Sequence, residues 1–307
     1  MRIVFMGTPD FAAMSLERLY TDGYDVAGVF TQPDKARKRG MKVSYSPVKE
    51  TALAHGTPVF QPSSLRETEV HAQLAALRCD LIVVVAYGKL LPCEILSIPP
   101  LGCVNIHASL LPKYRGAAPV QWAVLSGEKE TGVTAIYMSK ELDSGDILLA
   151  KRTGIKDEET AAELYDRLST LGAQLLSETA AAISRGETVR APQIEAEATY
   201  APSLTKDMSP IDWNKTAFEI QCAVRGLTPW PVATASVGGC VLRVFSVDIE
   251  ANESDKMPGE VISAGQQGIK IACADAAVVI KELQAPGGRR MHAADYLRGH
   301  ALLVQNA

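Results

Sequence analysis

The most constraining feature of the sequence is an almost uninterrupted apolar run from Asp80 to Ala86. Alternate residues of a strand point to opposite faces, so a continuous apolar run indicates a strand that is buried on both sides. Such strands belong to the centre of a parallel sheet covered by helices. Residues 3–6, 11–20 and 24–30 form a strand, a helix and a second strand, which predicts a parallel pair with a right-handed crossover. We therefore predict a doubly wound, Rossmann-like α/β domain at the N-terminus.

A change in sequence pattern divides the chain into two predicted domains. Residues 159–185 form a long amphipathic helix, and no hydrophobic period follows it as far as residue 205. Beyond that point, five short β-rich runs alternate with Gly, Pro and Asn turns, which predicts a small β-barrel of the OB type. The predicted boundaries are 1–188 for the α/β domain, 189–205 for a linker and 206–307 for the barrel.

Charge and cysteine content restrict the class of protein. The net charge of −4 gives no general attraction to nucleic acid, so any such contact needs a local basic patch. No cysteine lies in a Cys-x-x-Cys pair and no zinc site is complete, so we expect no metal and predict core thiols in a reducing cytoplasm. A predicted strand begins at once and no apolar run is long enough to cross a bilayer, so we expect a cytoplasmic monomer without a signal peptide or membrane contact.

A group of polar residues predicts the catalytic site. Asn105 and His107 end a short apolar strand and, being two residues apart, project from the same face. Asp143 lies in a glycine-containing turn after a second strand, within reach of the imidazole. Singly, each residue is ordinary in a turn, a cap or a strand end. Together they suit transfer of an acyl-type group, because the amide and imidazole stabilise an oxyanion and the carboxylate orients the imidazole.

Two turns are predicted to form a ligand site next to these residues. Ligands of open α/β sheets bind beyond the carboxyl ends of the strands. The turns at residues 86–91 and 105–112 both follow predicted strands and should meet at this edge. Their backbone amides and apolar side chains suit a flat heterocycle. The first turn of the chain lacks G-x-G-x-x-G, which argues against a dinucleotide.

A basic segment lies between the second strand and the second helix. Five of its eight residues are basic, and a solvated loop is the ordinary interpretation of such a run. On a net-negative chain, a concentrated positive charge also suits a polyanion. A second, smaller patch lies in the C-terminal domain, although from Lys206 onward ten Lys and Arg face eleven Asp and Glu. The candidate residues are Lys35, Arg37, Lys38, Arg39, Lys42, Arg289 and Arg290.

Several short motifs together resemble those of the methionyl-tRNA formyltransferase family, and they extend over nearly the whole chain. Asn-x-His-x-Ser-Leu-Leu-Pro at residues 105–112 is typical of folate-dependent formyltransferases and their hydrolase relatives. The C-terminal matches at 211–213 and 229–231 single out the tRNA enzyme. Further matching stretches are residues 7–12, 31–34, 46–49, 85–88, 114–119, 130–134, 142–146 and 283–287.

The resemblance implies formyl transfer from 10-formyltetrahydrofolate to the α-amine of methionine on initiator methionyl-tRNA. The products would be tetrahydrofolate and the formylmethionyl-tRNA that starts translation. It also implies catalytic roles for Asn105, His107 and Asp143, and a wedge-like role for the basic segment at the acceptor stem. The folate-lining residues are then Ala86, Tyr87, Gly88, Leu90, Ser109, Leu110, Leu111 and Pro112.

Three alternatives remain open at this point. A folate-dependent formyltransferase of a small amine, such as a sugar nucleotide or a purine precursor, would need neither the basic segment nor the second domain. A 10-formyltetrahydrofolate hydrolase would use water in place of the amine. A tRNA-binding module without catalysis would not need the trio of Asn105, His107 and Asp143.

Overall fold

The computed structural model describes residues 1–36 and 43–300. The chain divides into two compact units. The first consists of Met1–Pro119, Glu130–Gly154 and Tyr165–Pro202. The second consists of Val120–Lys129, Ile155–Leu164 and the chain from Ser203 onward.

The elements up to residue 185 alternate between strands and helices, as the apolar pattern predicts. In chain order they are β1 (Arg2–Gly7), α1 (Asp10–Thr21), β2 (Asp25–Phe30), β3 (Lys35–Ala36), β4 (Val43–Ser44), α2 (Pro47–Ala54), β5 (Val59–Phe60), α3 (Thr68–Ala76), β6 (Leu81–Val85), α4 (Cys93–Leu96), β7 (Cys103–His107), α5 (Pro119–Leu125), β8 (Glu130–Tyr137), β9 (Ile147–Gly154) and α6 (Ala161–Arg185).

A seven-stranded sheet with the order β5-β2-β1-β6-β7-β8-β9 forms the centre of the first unit. The strands from β5 to β7 are parallel, whereas β8 and β9 run antiparallel to their neighbours. All five residues of β6 are buried, as the apolar run predicts. The prediction of an N-terminal Rossmann-like domain is confirmed, with a mixed rather than wholly parallel sheet.

The parallel part of the sheet brings β6 and β7 side by side, and this pairing positions the candidate site. Val84 of β6 pairs with Asn105 of β7, so both strands end at the same edge. Behind this edge, a buried cluster including Met6, Phe30 and Leu74 packs the sheet against helices α3 and α4. Complete burial of one such side chain contributes about 1.5–3 kcal/mol, which keeps the edge rigid.

The second unit contains an antiparallel sheet. Its remaining elements are α7 (Ala217–Gly226), β10 (Ala233–Val237), β11 (Cys240–Glu250), β12 (Val261–Gly265), β13 (Gly268–Ala272), β14 (Ala277–Gln284), β15 (Met291–His292) and α8 (Ala293–Gly299). The order is β10-β11-β14-β13-β12, and β15 pairs with β14. Over the described strands this path is open between β10 and β12, so the antiparallel sheet is confirmed but not a closed barrel.

Part of the predicted polyanion site lies outside the described residues, namely Arg37, Lys38, Arg39 and Lys42. Lys35 belongs to the backbone of β3, which pairs with β4. Across residues 1–36 and 43–300, no helix combines the length and the apolarity needed to span a bilayer.

Candidate active site

Strand β7 presents Asn105 and His107 from one face, and both side chains meet Asp143. Asn105 Nδ2 donates to Asp143 Oδ1 at 3.3 Å. His107 Nδ1 lies 3.6 Å from Asp143 Oδ2. The imidazole and the carboxylate are largely buried, with side-chain exposures of 6% and 11%. The structure therefore brings together the three residues that the sequence selects from separate segments.

The tautomer of His107 follows from its second contact. Its Nε2 lies 2.9 Å from the backbone oxygen of Tyr114. A carbonyl oxygen can only accept a hydrogen bond, so Nε2 carries a hydrogen and donates. The other ring nitrogen, Nδ1, is the one that faces Asp143, which directs any proton exchange of the ring toward this carboxylate.

The turn that carries Asp143 is tightly held. Asp143 has a positive φ of 48°, a region that L residues rarely adopt. Its Oδ2 accepts the backbone N–H of Gly116 at 2.9 Å. Gly145, two residues on, passes so close to strand β8 that an added Cβ would lie 1.8 Å from the Tyr137 oxygen. The carboxylate is therefore positioned by the backbone of two other segments.

The loop after β7 is fixed by a buried threonine. Thr134 lies opposite His107 in the β7–β8 register and is fully buried. Its hydroxyl donates to the oxygen of Ser109 at 2.6 Å and accepts from the Leu111 nitrogen at 3.2 Å. The hydroxyl of Ser109, which is itself buried, donates to the oxygen of Lys113 at 2.6 Å. Ser109 thus stabilises the loop, and any folate contact that it makes is through the backbone.

Residues 191–201, which show no period in the sequence, contact both loops of the site. Arg115 N donates to the oxygen of Thr199 at 2.8 Å, and Arg115 O accepts from the nitrogen of Ala201 at 2.7 Å. Ala191 exchanges two backbone hydrogen bonds with Ile147 of β9. Sequence reasoning missed this arrangement and the side chain of Gln193 within it. The only signal was the isolated pair of polar residues Gln193 and Glu195, which has no period to interpret.

The predicted folate turn after β6 is exposed on one side and anchored on the other. Ala86 and Gly88 have positive φ values and are exposed, and Leu90 is 70% exposed. The oxygen of Tyr87 accepts a hydrogen bond from Gln32 Nε2 at 2.9 Å. The Tyr87 side chain, however, is 2% exposed and belongs to the core cluster behind the sheet. A ligand at this edge would meet the backbone of Tyr87 and not its ring.

Replacing Tyr87 with phenylalanine is expected to stabilise the protein. Among the described residues, the Tyr87 hydroxyl is buried without a hydrogen-bond partner. Removing an unsatisfied buried polar group is expected to raise the free energy of unfolding by about 1 kcal/mol at neutral pH, measured by urea denaturation. Burial raises the pKa of Tyr87 to about 12. Because the unfolded phenol ionises near its ordinary pKa of about 10, the wild-type protein loses stability between these values, and the advantage of Tyr87→Phe should grow there.

Tyr165→Phe is the matched control for this substitution. Burial raises the pKa of Tyr165 also to about 12, but its hydroxyl is hydrogen-bonded to the backbone of Phe11. We expect Tyr165→Phe to lower the free energy of unfolding by about 1 kcal/mol. A Tyr87→Phe variant as destabilised as Tyr165→Phe would contradict this account.

The predicted basic patch of the second unit is partly neutralised. Arg290 pairs with Glu282 and stacks on the ring of Phe245 at 4.7 Å. Arg289 is exposed. Of the two, Arg289 has the charge that is more available to a polyanion.

Four of the six cysteines are buried, whereas Cys240 is half-buried and Cys93 is exposed. Burial raises the pKa of Cys103, the first residue of β7, to about 12, so this thiol stays protonated and unreactive. The prediction of core thiols therefore applies to four residues but not to Cys93. The described residues contain no group of three His, Cys, Asp or Glu that could hold a metal ion.

Comparison with known families identifies the class of protein. Residues 1–180 match the formyl transferase family, and residues 203–301 match the formyl transferase C-terminal domain. Together the two matches cover most of the chain. The chain therefore belongs to the formyl transferase family.

Within this family, the relatives of the chain are the methionyl-tRNA formyltransferases, as its motifs predict. The chain is 48% identical to that of Alkaliphilus oremlandii over 302 residues, which cover 98% of this chain and 97% of the relative. It is 48% identical to that of Trichlorobacter lovleyi over 303 residues, or 99% and 95% of the two chains. The resemblance drawn from the motifs is confirmed.

A solved structure shares the fold at low sequence identity. The N-formyltransferase of Helicobacter canadensis, in complex with folinic acid and dTDP-3-aminofucose, superposes with a TM-score of 0.70 at 18% identity. The match covers 94% of this chain and 99% of that one. It supports the two-part architecture.

Proposed function

We propose that this enzyme transfers the formyl group of 10-formyltetrahydrofolate to the α-amine of methionine on initiator methionyl-tRNA. The observation that carries the proposal is the 48% identity to methionyl-tRNA formyltransferases over 98% of the chain. The convergence of Asn105, His107 and Asp143 supplies the chemistry. The products are formylmethionyl-tRNA and tetrahydrofolate.

The reaction begins with attack of the α-amine on the formyl carbon. An α-amino group has a pKa of about 7.7–8.0, so a useful fraction is neutral at physiological pH. The new C–N bond converts the formyl oxygen into an oxyanion. The second hydrogen on Asn105 Nδ2 and the protonated ring of His107 stabilise this charge in a largely buried site, where fixed donors act most strongly.

Two proton transfers complete the exchange. The attacking nitrogen loses a proton, which Asp143 accepts directly or through a water molecule. The N10 nitrogen of the folate gains a proton from His107 as its bond to the formyl carbon breaks. The 3.6 Å approach of His107 Nδ1 to Asp143 Oδ2 supports this division of roles, because the carboxylate then stabilises the imidazolium.

The folate lies along the edge formed by the turns after β6 and β7. Exposed Leu90 and the backbone of Ala86, Tyr87 and Gly88 contact one side of the pterin ring. Leu110, Leu111, Pro112 and the backbone of Ser109 contact the other. The anchoring of the first turn by Gln32 supports a preformed site, which lowers the entropic cost of binding.

The tRNA is bound by the basic segment and by the second domain. Residues 1–188 carry the chemistry, 189–205 link the domains and 206–307 form an OB-type barrel. Register shifts at Val244 and Ser246 of the long strand β11 support curvature of this sheet. The enzyme acts as a cytoplasmic monomer.

The test mixes the purified enzyme with 10-formyltetrahydrofolate and charged initiator tRNA, and follows formyl incorporation into the tRNA. We expect rapid formylation of methionyl-tRNA. Parallel reactions with an aminated sugar nucleotide and with water alone should give at least about 10³-fold lower turnover, because a site built for one acceptor discriminates strongly. Faster reaction with either would overturn the assignment.

A further inference from the structure

The side chain of Gln193 joins the two loops of the active site. Its Nε2 donates to the backbone oxygens of Asp143 at 2.7 Å and Gly145 at 2.8 Å. Its Oε1 accepts from Nε of Arg115 at 3.1 Å and from Nη2 at 2.9 Å. A side-chain amide has two donor hydrogens and two lone pairs on its oxygen, so these four contacts use its full capacity.

Arg115 provides the fixed end of this connection. Its side chain is 2% exposed, and its guanidinium also bonds both oxygens of Glu195, at 3.0 and 2.9 Å. A buried guanidinium is stable only when its donors are paired, so Gln193 and Glu195 hold it in one orientation. The contacts therefore form a continuous chain from Glu195 through Arg115 and Gln193 to the turn of Asp143.

We infer that Gln193 is a positioning residue that acts on the reaction through Asp143. The inference rests on the proposed function, in which Asp143 exchanges protons at the reacting groups. Asp143 adopts a positive φ of 48°, a conformation that persists only where the surroundings hold it. The amide of Gln193 grips the backbone oxygen of this strained residue and that of Gly145, at the two sides of Ser144. It thereby keeps the carboxylate facing both Asn105 and His107.

The position of Gln193 relative to the family matches adds to the argument. The two matches cover residues 1–180 and 203–301, so Gln193 lies outside both. It is separated from Asp143 by 50 residues and from Arg115 by 78. The segment between the matched domains thus completes the support of the catalytic carboxylate.

Two substitutions separate positioning of Asp143 from support of Arg115. Gln193→Ala removes all four contacts. Gln193→Glu keeps the size and can still accept from Arg115, but it has no N–H to offer the oxygens of Asp143 and Gly145. Because a displacement of about 1 Å can cost about 10²-fold in rate, we expect either variant to lower kcat about 10- to 10²-fold. The KM values for tRNA and folate should remain within about 3-fold. Ile194→Ala, in the neighbouring and 60% exposed position, is the matched control and should leave both unchanged.

A double-mutant cycle with Asp143→Ala completes the test, with kcat measured in single-turnover formylation. If Gln193 acts through Asp143, then Gln193→Ala costs nothing further once the carboxylate is absent. Multiplicative losses, or wild-type kcat in Gln193→Glu, would overturn the inference while leaving the proposed function intact. If Gln193→Ala does not fold, Gln193→Glu replaces it in the cycle. An Asp143→Ala variant with wild-type kcat would instead overturn the proposed role of Asp143, and the inference with it.

Discussion

Replacing Asn105 with alanine is expected to lower kcat for formyl transfer about 10²–10³-fold, the usual cost of one oxyanion donor. Asn105 Nδ2 has two hydrogens, and Asp143 Oδ1 accepts only one of them. The other is free to bond the oxygen of the tetrahedral intermediate. The formyl oxygen of the bound substrate carries little charge, so the KM for the folate should change less than about 3-fold. Single-turnover formylation with saturating tRNA measures the chemical step directly.

A substitution on the opposite face of the same strand separates chemistry from stability. Ile106 is buried between Asn105 and His107 but points away from them. Ile106→Val should lower the free energy of unfolding by about 0.5–1.5 kcal/mol and leave kcat unchanged. His107→Ala should lose activity to a degree similar to Asn105→Ala. If Asn105→Ala or His107→Ala kept turnover within a factor of a few, the proposed role of β7 would be wrong.

The catalytic geometry was accessible from the sequence wherever it depends on strand periodicity. The two-residue spacing of Asn105 and His107 puts them on one face in any strand, and the buried run of β6 predicts the neighbouring parallel strand. The approach of Asp143 required only a glycine-containing turn after β8. The residues meet as predicted, and their catalytic roles stay predictions that kinetics will test.

Contacts that depend on tertiary structure were not accessible in this way. Gln193 reaches Asp143 across 50 residues of chain from a segment without a period, so no local pattern indicates it. Tyr87 follows the exposed Ala86, and a positive φ at Ala86 breaks the alternation by which a strand assigns faces. Its ring therefore enters the core, although the adjoining backbone lies at the ligand edge. Both features arise from backbone conformations that single-residue preferences do not encode.

The basic segment provides the second large expected effect. Neutralising Lys35, Arg37, Lys38, Arg39 and Lys42 to glutamine should raise the KM for tRNA at least about 5-fold, at about 0.2–1 kcal/mol for each exposed charge contact. It should leave kcat at saturating tRNA nearly unchanged, because the catalytic trio is untouched. Each lost phosphate contact removes about 0.7–0.9 from the slope of log KM against log salt concentration. A loss of all five contacts would therefore lower this slope by about 4.

A control with the same change of net charge distinguishes local binding from general attraction. The matched variant replaces five exposed basic residues of other surfaces, namely Arg66, Lys129, Arg152, Lys156 and Arg185. With a chain of net charge −4, both variants become equally more negative, and long-range repulsion of tRNA rises equally in each. Only contacts made by the basic segment itself produce a difference between them. Equal KM values and equal salt slopes in the two variants would therefore show that the segment does not bind tRNA, whatever its charge.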